Sequence, residues 1–147
     1  MQKITTFLTF NSQAEEAATL YTSLFKNSSI TQIRHLPSGA VLSVGFELDG
    51  QEFIAMNGGP HFTFAGGISL FVHCDTQEEV DIYWAKLCEG GEPGQCGWLK
   101  DKFGVSWQII PESLGRLLGD KDPQKAKRVM EAMLAMTKID TKVLEEA

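Results

Sequence analysis

Apolar positions alternate with polar ones over short runs and then recur at helical spacing, and this change of period happens twice along the chain. Ile4 to Phe10 reads as a strand, with Ile4, Leu8 and Phe10 on one side and Thr5, Phe7 and Thr9 on the other. Asn11-Ser12 ends it, and Ser12 with Glu15 makes an S-x-x-E capping box. The box predicts a helix over 13–25 whose Ala17, Leu20, Tyr21 and Leu24 share one buried stripe. Three strands are expected next: Ile30 to Leu36, Val41 to Leu48 and Phe53 to Asn57, the last two joined by the hairpin signal Asp49-Gly50. Gly58-Gly59-Pro60 then opens a loop through residue 67 that holds His61, Phe62 and Phe64.

The pattern restarts at Ile68. Ile68 to Cys74 reads as a strand, and Thr76 with Glu79 makes a second capping box. A helix over 77–89 is expected to bury Val80, Tyr83, Trp84 and Leu87 and to end at Gly90-Gly91. Gln95 to Leu99 and Val105 to Ile110 supply further strands, the second stopped by Pro111. The two halves superpose by number. A shift of 64 sets Thr5 on Ser69, Phe7 on Phe71, Thr9 on His73 and Ser12 on Thr76. A shift of 63 sets Glu15-Glu16 on Glu78-Glu79, Leu20 on Tyr83, Tyr21 on Trp84 and Leu24 on Leu87. Matched helix stripes as well as matched caps favour a tandem β-α-β-β-β repeat of the α+β class, with modules at about 1–60 and about 66–111.

The remainder, 112–147, changes character. Glu112 to Leu118 is a short helix stopped by Gly119, and Asp122-Pro123 opens another with Asp as N-cap and Pro at the first helical position. Ala126, Val129, Met130, Met133 and Leu134 form its apolar stripe, which packs on the domain or a second subunit, or serves a protein partner. Thr141 to Ala147 adds a last turn or two of helix.

Composition narrows the function. With 147 residues, 43% of them hydrophobic and 22% charged, the chain can build a proper core. A net charge of −6 speaks against a nucleic-acid partner, because binding phosphates needs clustered Lys and Arg. No apolar run reaches bilayer length and no signal-peptide pattern opens the chain, so the expected place is the cytoplasm and no membrane partner is expected. Cys74, Cys88 and Cys96 are an odd number without a CxxC pair, which suits a reducing compartment.

The chemistry gathers in the stretch from Gln95 to Pro111. After the polar turn Lys100-Asp101-Lys102-Phe103-Gly104, alternation sets Ser106, Gln108 and Ile110 on one side and Val105, Trp107 and Ile109 on the other. A hydroxyl and an amide among apolar groups is what a ligand-facing strand would show. His35, His61 and His73 have no ligand-pair spacing, so His61 reads either as a hydrogen-bonding or proton-transferring group or as a plain loop residue. Asn57, ahead of Gly58-Gly59, is a turn residue or a polar contact. Cys96 lacks an evident activating base and reads as a small buried side chain.

The stretches FNSQAEEAATLYTSLF, GGPHF and GQCGWLKDKFGVSWQIIP closely resemble the PhnB-like branch of the vicinal oxygen chelate superfamily, which includes glyoxalase I, bleomycin-resistance proteins and extradiol dioxygenases. That branch often carries the label 3-demethylubiquinone-9 3-methyltransferase. The likeness runs over nearly the whole chain, the Met-bearing C-terminal helix included. It implies modules that curl a mixed sheet into half-cups around a small ligand, paired within one chain or exchanged across a homodimer. It also implies four positions where superfamily enzymes hold a divalent metal with His and Glu. They fall here on Thr5, Ser69, Gln108 and either Ile54 or Ala55, none of them an imidazole or carboxylate. No glycine-rich strand-to-helix turn is present to hold a nucleoside cofactor. The expectation is therefore a metal-independent binder of a small planar or aromatic molecule, or an enzyme of unnamed chemistry on the same scaffold, without cofactor. Its contacts would be Thr5, Phe7, Asn57, His61, Ser69, Phe71, Trp98 and Gln108. One alternative is a metal-dependent lyase or dioxygenase with a displaced site built from His61, His73 and Glu47 or Glu52; another is a protein-interaction module.

Overall fold

A computed structural model of the chain describes residues 2–147. It falls into two compact units that meet in sequence between Thr63 and Phe64. The first holds β1 (Thr6–Phe10), α1 (Ala14–Leu24), β2 (Ser29–His35), β3 (Val41–Leu48) and β4 (Gln51–Asn57). Its four strands form one sheet in the order β1-β4-β3-β2, with β1 parallel to β4 and the other pairs antiparallel. The second unit repeats the plan with β5 (Leu70–Cys74), α2 (Gln77–Cys88), β6 (Glu92–Pro93), β7 (Trp98–Lys100) and β8 (Ser106–Pro111) in the order β5-β8-β7-β6. Here too the first and last strands are parallel. The duplicated β-α-β-β-β plan is thus present as an α+β architecture of two mixed four-stranded sheets. No helix among the described residues is long and apolar enough to cross a membrane.

Each sheet buries one face under its helix. In the first unit, Ala17, Ala18 and Tyr21 of α1 are fully buried along with Val44 and Ala55, and Phe46 stacks on Phe53 with ring centroids 5.3 Å apart. In the second, Val80 and Leu87 of α2 are buried with Leu99, Trp107 and Ile109. Strand alternation sends the intervening residues to the opposite face. That face carries Phe7 in one unit and Phe71 in the other, 51% and 47% exposed.

The first helix does not start as its sequence suggests. Ser12 makes no cap, and α1 begins after Gln13. Its leading amide, Ala14 N–H, instead donates to Asn57 Oδ1 at 2.9 Å, an acceptor brought from the end of β4. The second cap does form: Thr76 Oγ1 accepts from Glu79 N–H, while the Glu79 carboxylate reaches one residue further back and accepts from Asp75 N–H. Both opening strands start two residues later than alternation predicts, which leaves Ile4, Thr5, Ile68 and Ser69 ahead of the paired region. The expected strand from Gln95 is also shorter. Cys96, at φ 58°, and Gly97, at φ 85°, turn the backbone there, and pairing starts only at Trp98.

The C-terminal segment folds into α3 (Glu112–Leu118), α4 (Pro123–Leu134) and α5 (Thr141–Glu146) around Leu114, Leu117, Val129, Ile139 and Leu144. Val129 is the buried residue of α4, Met133 packs against the cluster, and Met130 and Leu134 are exposed. The Met stripe is thus divided between core and surface. The segment is fastened to α2 by Gln77, whose amide donates to Ile139 C=O and accepts from Thr141 N–H, and by an ion pair of Asp81 with Lys138 at 2.8 Å. The Lys138 and Gln77 hydrogen bonds hold the Asp81 carboxyl below its usual range.

Candidate functional site

The second sheet's face away from α2 is set by one buried carboxylate. Asp101, 3% exposed, accepts the N–H groups of Phe103 and Val105 on Oδ1 and the Trp107 indole N–H on Oδ2, at 2.9–3.0 Å. This ties the Lys100–Gly104 turn to β8 and turns Trp107 toward the core. Alternation then puts Gln108 on the other side, where pairing lines it up between Phe71 of β5 and Trp98 of β7. Gln108 Nε2 donates to Ser69 Oγ at 3.0 Å, so the amide and hydroxyl act as one polar unit. One step along β5, His73 lies against Phe71, with ring centroids 4.8 Å apart. Ile110, next on β8, packs into the C-terminal helical core. The second sheet therefore brings Phe71, Ser69, Trp98 and Gln108 together, and His73 joins them. Ser106 departs from the pattern, being buried beside the Asp101 turn.

The matching face of the first sheet carries Phe7 opposite Ile54. This pairing decides the register left open by sequence: Ile54 corresponds to Gln108, and Ala55 is buried on the α1 side. Gly45 pairs with Ile54, and Gln32 with Gly45; one step along, Arg34 pairs with Ser43 and Ser43 with Met56. Together with Leu42 these rows line a cleft of about 300 Å³. The cleft was not anticipated, because its residues come from four strands and only the register assembles them. Thr5 stands half-buried just ahead of β1, two residues before Phe7.

Two candidates stand apart. The Asn57 side chain is taken up by the fold: besides capping α1, its Nδ2 donates to Val41 C=O at 3.1 Å. His61 is exposed on the loop after β4 and makes no hydrogen bond or ion pair among the described residues.

The implied metal and methyl-donor chemistry can be tested against these groups. Thr5, Ile54, Ser69 and Gln108 offer hydroxyls, an amide and an alkyl group, and the amide is already bonded to a hydroxyl. That donor set does not fit Zn, Ni or Fe, which favour imidazole, thiolate or carboxylate. Among the described residues no three His, Cys, Asp or Glu side chains gather to hold an ion. The turns from β1 to α1 and from β5 to α2, Asn11-Ser12-Gln13 and Asp75-Thr76, contain no glycine to let a nucleoside phosphate or a cofactor backbone approach. Cys74 and Cys88 offer no thiolate there either. Burial, then the charges of Glu79 and Asp75, push the Cys74 thiol up to about 12, and burial raises that of Cys88.

Comparison with known proteins agrees with this architecture. A structure from Bacillus cereus described as a 3-demethylubiquinone-9 3-methyltransferase, PhnB protein, is 41% identical, with a TM-score of 0.71 over 75% of this chain and 99% of that one. Protein PA1353 from Pseudomonas aeruginosa is 18% identical at TM-score 0.64, covering 76% of this chain and 98% of its own. The fosfomycin resistance protein FosX from Listeria monocytogenes, solved with Mn(II) and sulfate, is 17% identical at TM-score 0.54, covering 73% and 90%. These last two share the fold. No curated protein matches the chain. The family profile described as 3-demethylubiquinone-9 3-methyltransferase matches residues 2–110 and stops before α3, so the likeness is narrower than the sequence reading, which carried it through the C-terminal helix. Across those residues the chain belongs to this PhnB-like family, the one described as 3-demethylubiquinone-9 3-methyltransferase.

Proposed function

We propose that the protein binds a small planar or aromatic molecule on the sheet faces turned away from α1 and α2, without a metal ion of its own. The observation that carries this reading is the lining of those faces. Phe7 and Phe71 remain about half exposed in matching places, and the positions where the resemblance implies metal ligands hold Thr5, Ile54, Ser69 and Gln108, none of them an imidazole or carboxylate. Exposed aromatic rings flanked by a few neutral hydrogen-bonding groups suit a flat, weakly polar ligand. On the first unit's face Thr5 supplies an orienting contact and His61 one from its loop; on the second unit's face Trp98 and the Ser69–Gln108 pair do so. The protein works in the cytoplasm as a homodimer.

Metal analysis of purified protein, together with binding of an environment-sensitive aromatic dye, tests the proposal. Dye binding with less than a tenth of an equivalent of Zn, Ni, Fe or Mn, unchanged by chelator, is the expected result. A stoichiometric ion whose removal abolishes dye binding would overturn it. Sedimentation velocity reads the dimer separately.

A further inference from the structure

The two sheets differ at the centre of their matching faces. In the second unit the central row runs Phe71–Gln108–Trp98. In the first it runs Phe7–Ile54–Gly45, continuing to Gln32 on β2. Gly45 thus takes the place of an indole. A glycine inside a strand weakens it and marks a place where another group comes close. Crowding explains part of the choice, since a Cβ at Gly45 would lie 3.2 Å from Thr31 Oγ1, beside the β2 bulge. The missing side chain also leaves the floor of the 300 Å³ cleft open.

Charge along this face is uneven. Among the described residues Arg34 is the one cationic residue lining the cleft, next to the neutral Ser43 and Gln32. Among the described residues its guanidinium has no ion-pair or hydrogen-bond partner. At the far end of β3 and β4, Glu47 lies directly opposite Glu52 on the same face. Like charges so placed repel each other and any anion brought near them. Glu47 lies four residue steps beyond Ser43 along β3, roughly 13 Å of strand, so an anionic head is attracted at one end and repelled at the other.

We propose that the first sheet's face takes a small aromatic monocarboxylate, its ring on Phe7, Ile54 and Met56 over Gly45 and its carboxylate on Arg34. This rests on the small-molecule reading above and names the ligand class. A single guanidinium, with no second cation in the cleft lining, balances one negative charge. A phosphoryl group, carrying close to two, would be left under-compensated.

Calorimetry with three probes of one ring system tests it: 2-naphthoate, 2-naphthamide and naphthalene-2-phosphonate. Naphthoate is expected to bind roughly two- to fivefold more tightly than naphthamide, the range for one solvent-exposed ion pair. Arg34→Gln should erase that preference and leave naphthamide affinity unchanged, and Gly45→Leu should weaken both. Arg34 is exposed, so Arg34→Gln leaves the fold intact, and a thermal melt checks Gly45→Leu. Equal affinity for acid and amide, or a preference that survives Arg34→Gln, would overturn the carboxylate assignment alone. Phosphonate binding more tightly than naphthoate would overturn its single-charge form. No binding of any probe would overturn this proposal and the small-molecule reading together.

Discussion

The Asp101 turn allows a worked prediction, because one side chain fixes both the core tryptophan and the strand carrying Gln108. In Asp101→Asn the side-chain oxygen keeps the Phe103 and Val105 amides, and the new NH₂ group faces the Trp107 indole N–H, which now lies 2.9 Å from the carboxylate oxygen it replaces. Two donors then meet in a site that is 3% exposed. A hydrogen bond to a charged acceptor contributes about 1.5–3 kcal/mol, and a buried unpaired donor costs about 1–3. Relaxation of the turn recovers part of this, so the expected loss is about 2–4 kcal/mol. Urea unfolding followed by far-UV circular dichroism measures it, with an unchanged m-value showing that stability alone has moved. Trp107→Phe removes the clashing donor. Asp101→Asn should therefore cost about 1 kcal/mol less in that background than in the parent, a coupling read from a double-mutant cycle. A cost of Asp101→Asn below about 0.5 kcal/mol, or strict additivity of the pair, would refute the reasoning.

Asn57→Ala removes both the α1 cap and the tie to Val41, and about 1–3 kcal/mol of stability should go with them, read as a lowered midpoint in denaturant. The Cys74 thiol should resist a disulfide reagent at pH 8 in the native protein and react once the protein is unfolded. Its pKa is raised from 9.0 to about 12 in the folded state, so its contribution to stability is complete below pH 9 and is lost as pH climbs to about 12. The slope reaches at most about 1.4 kcal/mol per pH unit, and Cys74→Ala should flatten it in pH-dependent unfolding curves. Met133→Glu should destabilise the C-terminal helices by about 2 kcal/mol or more, whereas Leu134→Glu should fall within about 0.5, since Met133 packs on the helical core and Leu134 is 58% exposed.

Local patterns made much of the fold legible before any coordinates. Val41–Leu48 and Glu112–Leu118 have the bounds their alternation, turns and stops predict. The Ser69–Gln108 face could also be read, because the Gly104-to-Pro111 run fixes which side of β8 each residue takes. Long-range partners were hidden. The α1 cap comes from Asn57, 43 residues from the amide it serves, while Ser12 offered a plausible local acceptor. The Arg34 and Gly45 cleft depends on register shifts between β2 and β3, with Thr31 extra on β2 at Ile30/Gln32 and Leu42 extra on β3 at Arg34/His35. A bulge reassigns which residues share a face, and nothing local in Ser29–His35, six of whose seven residues are exposed, announces one.

Unequal module lengths explain why the two faces are not interchangeable. From Phe7 to its partner Ile54 the chain runs 47 residues, and from Phe71 to its partner Gln108 it runs 37. The shortfall falls in the hairpin: β2 and β3 have 7 and 8 residues, while β6 and β7 have 2 and 3. In the second unit the outer strand is Glu92–Pro93, paired with Lys100 and Leu99, so it ends before reaching the row of Trp98. No strand position there corresponds to Gln32 or Arg34. Polar contacts on the second face must therefore come from its inner strands, as Ser69 and Gln108 do. A charged anchor at the sheet's outer edge is possible only on the first, where β2 is long enough to carry it.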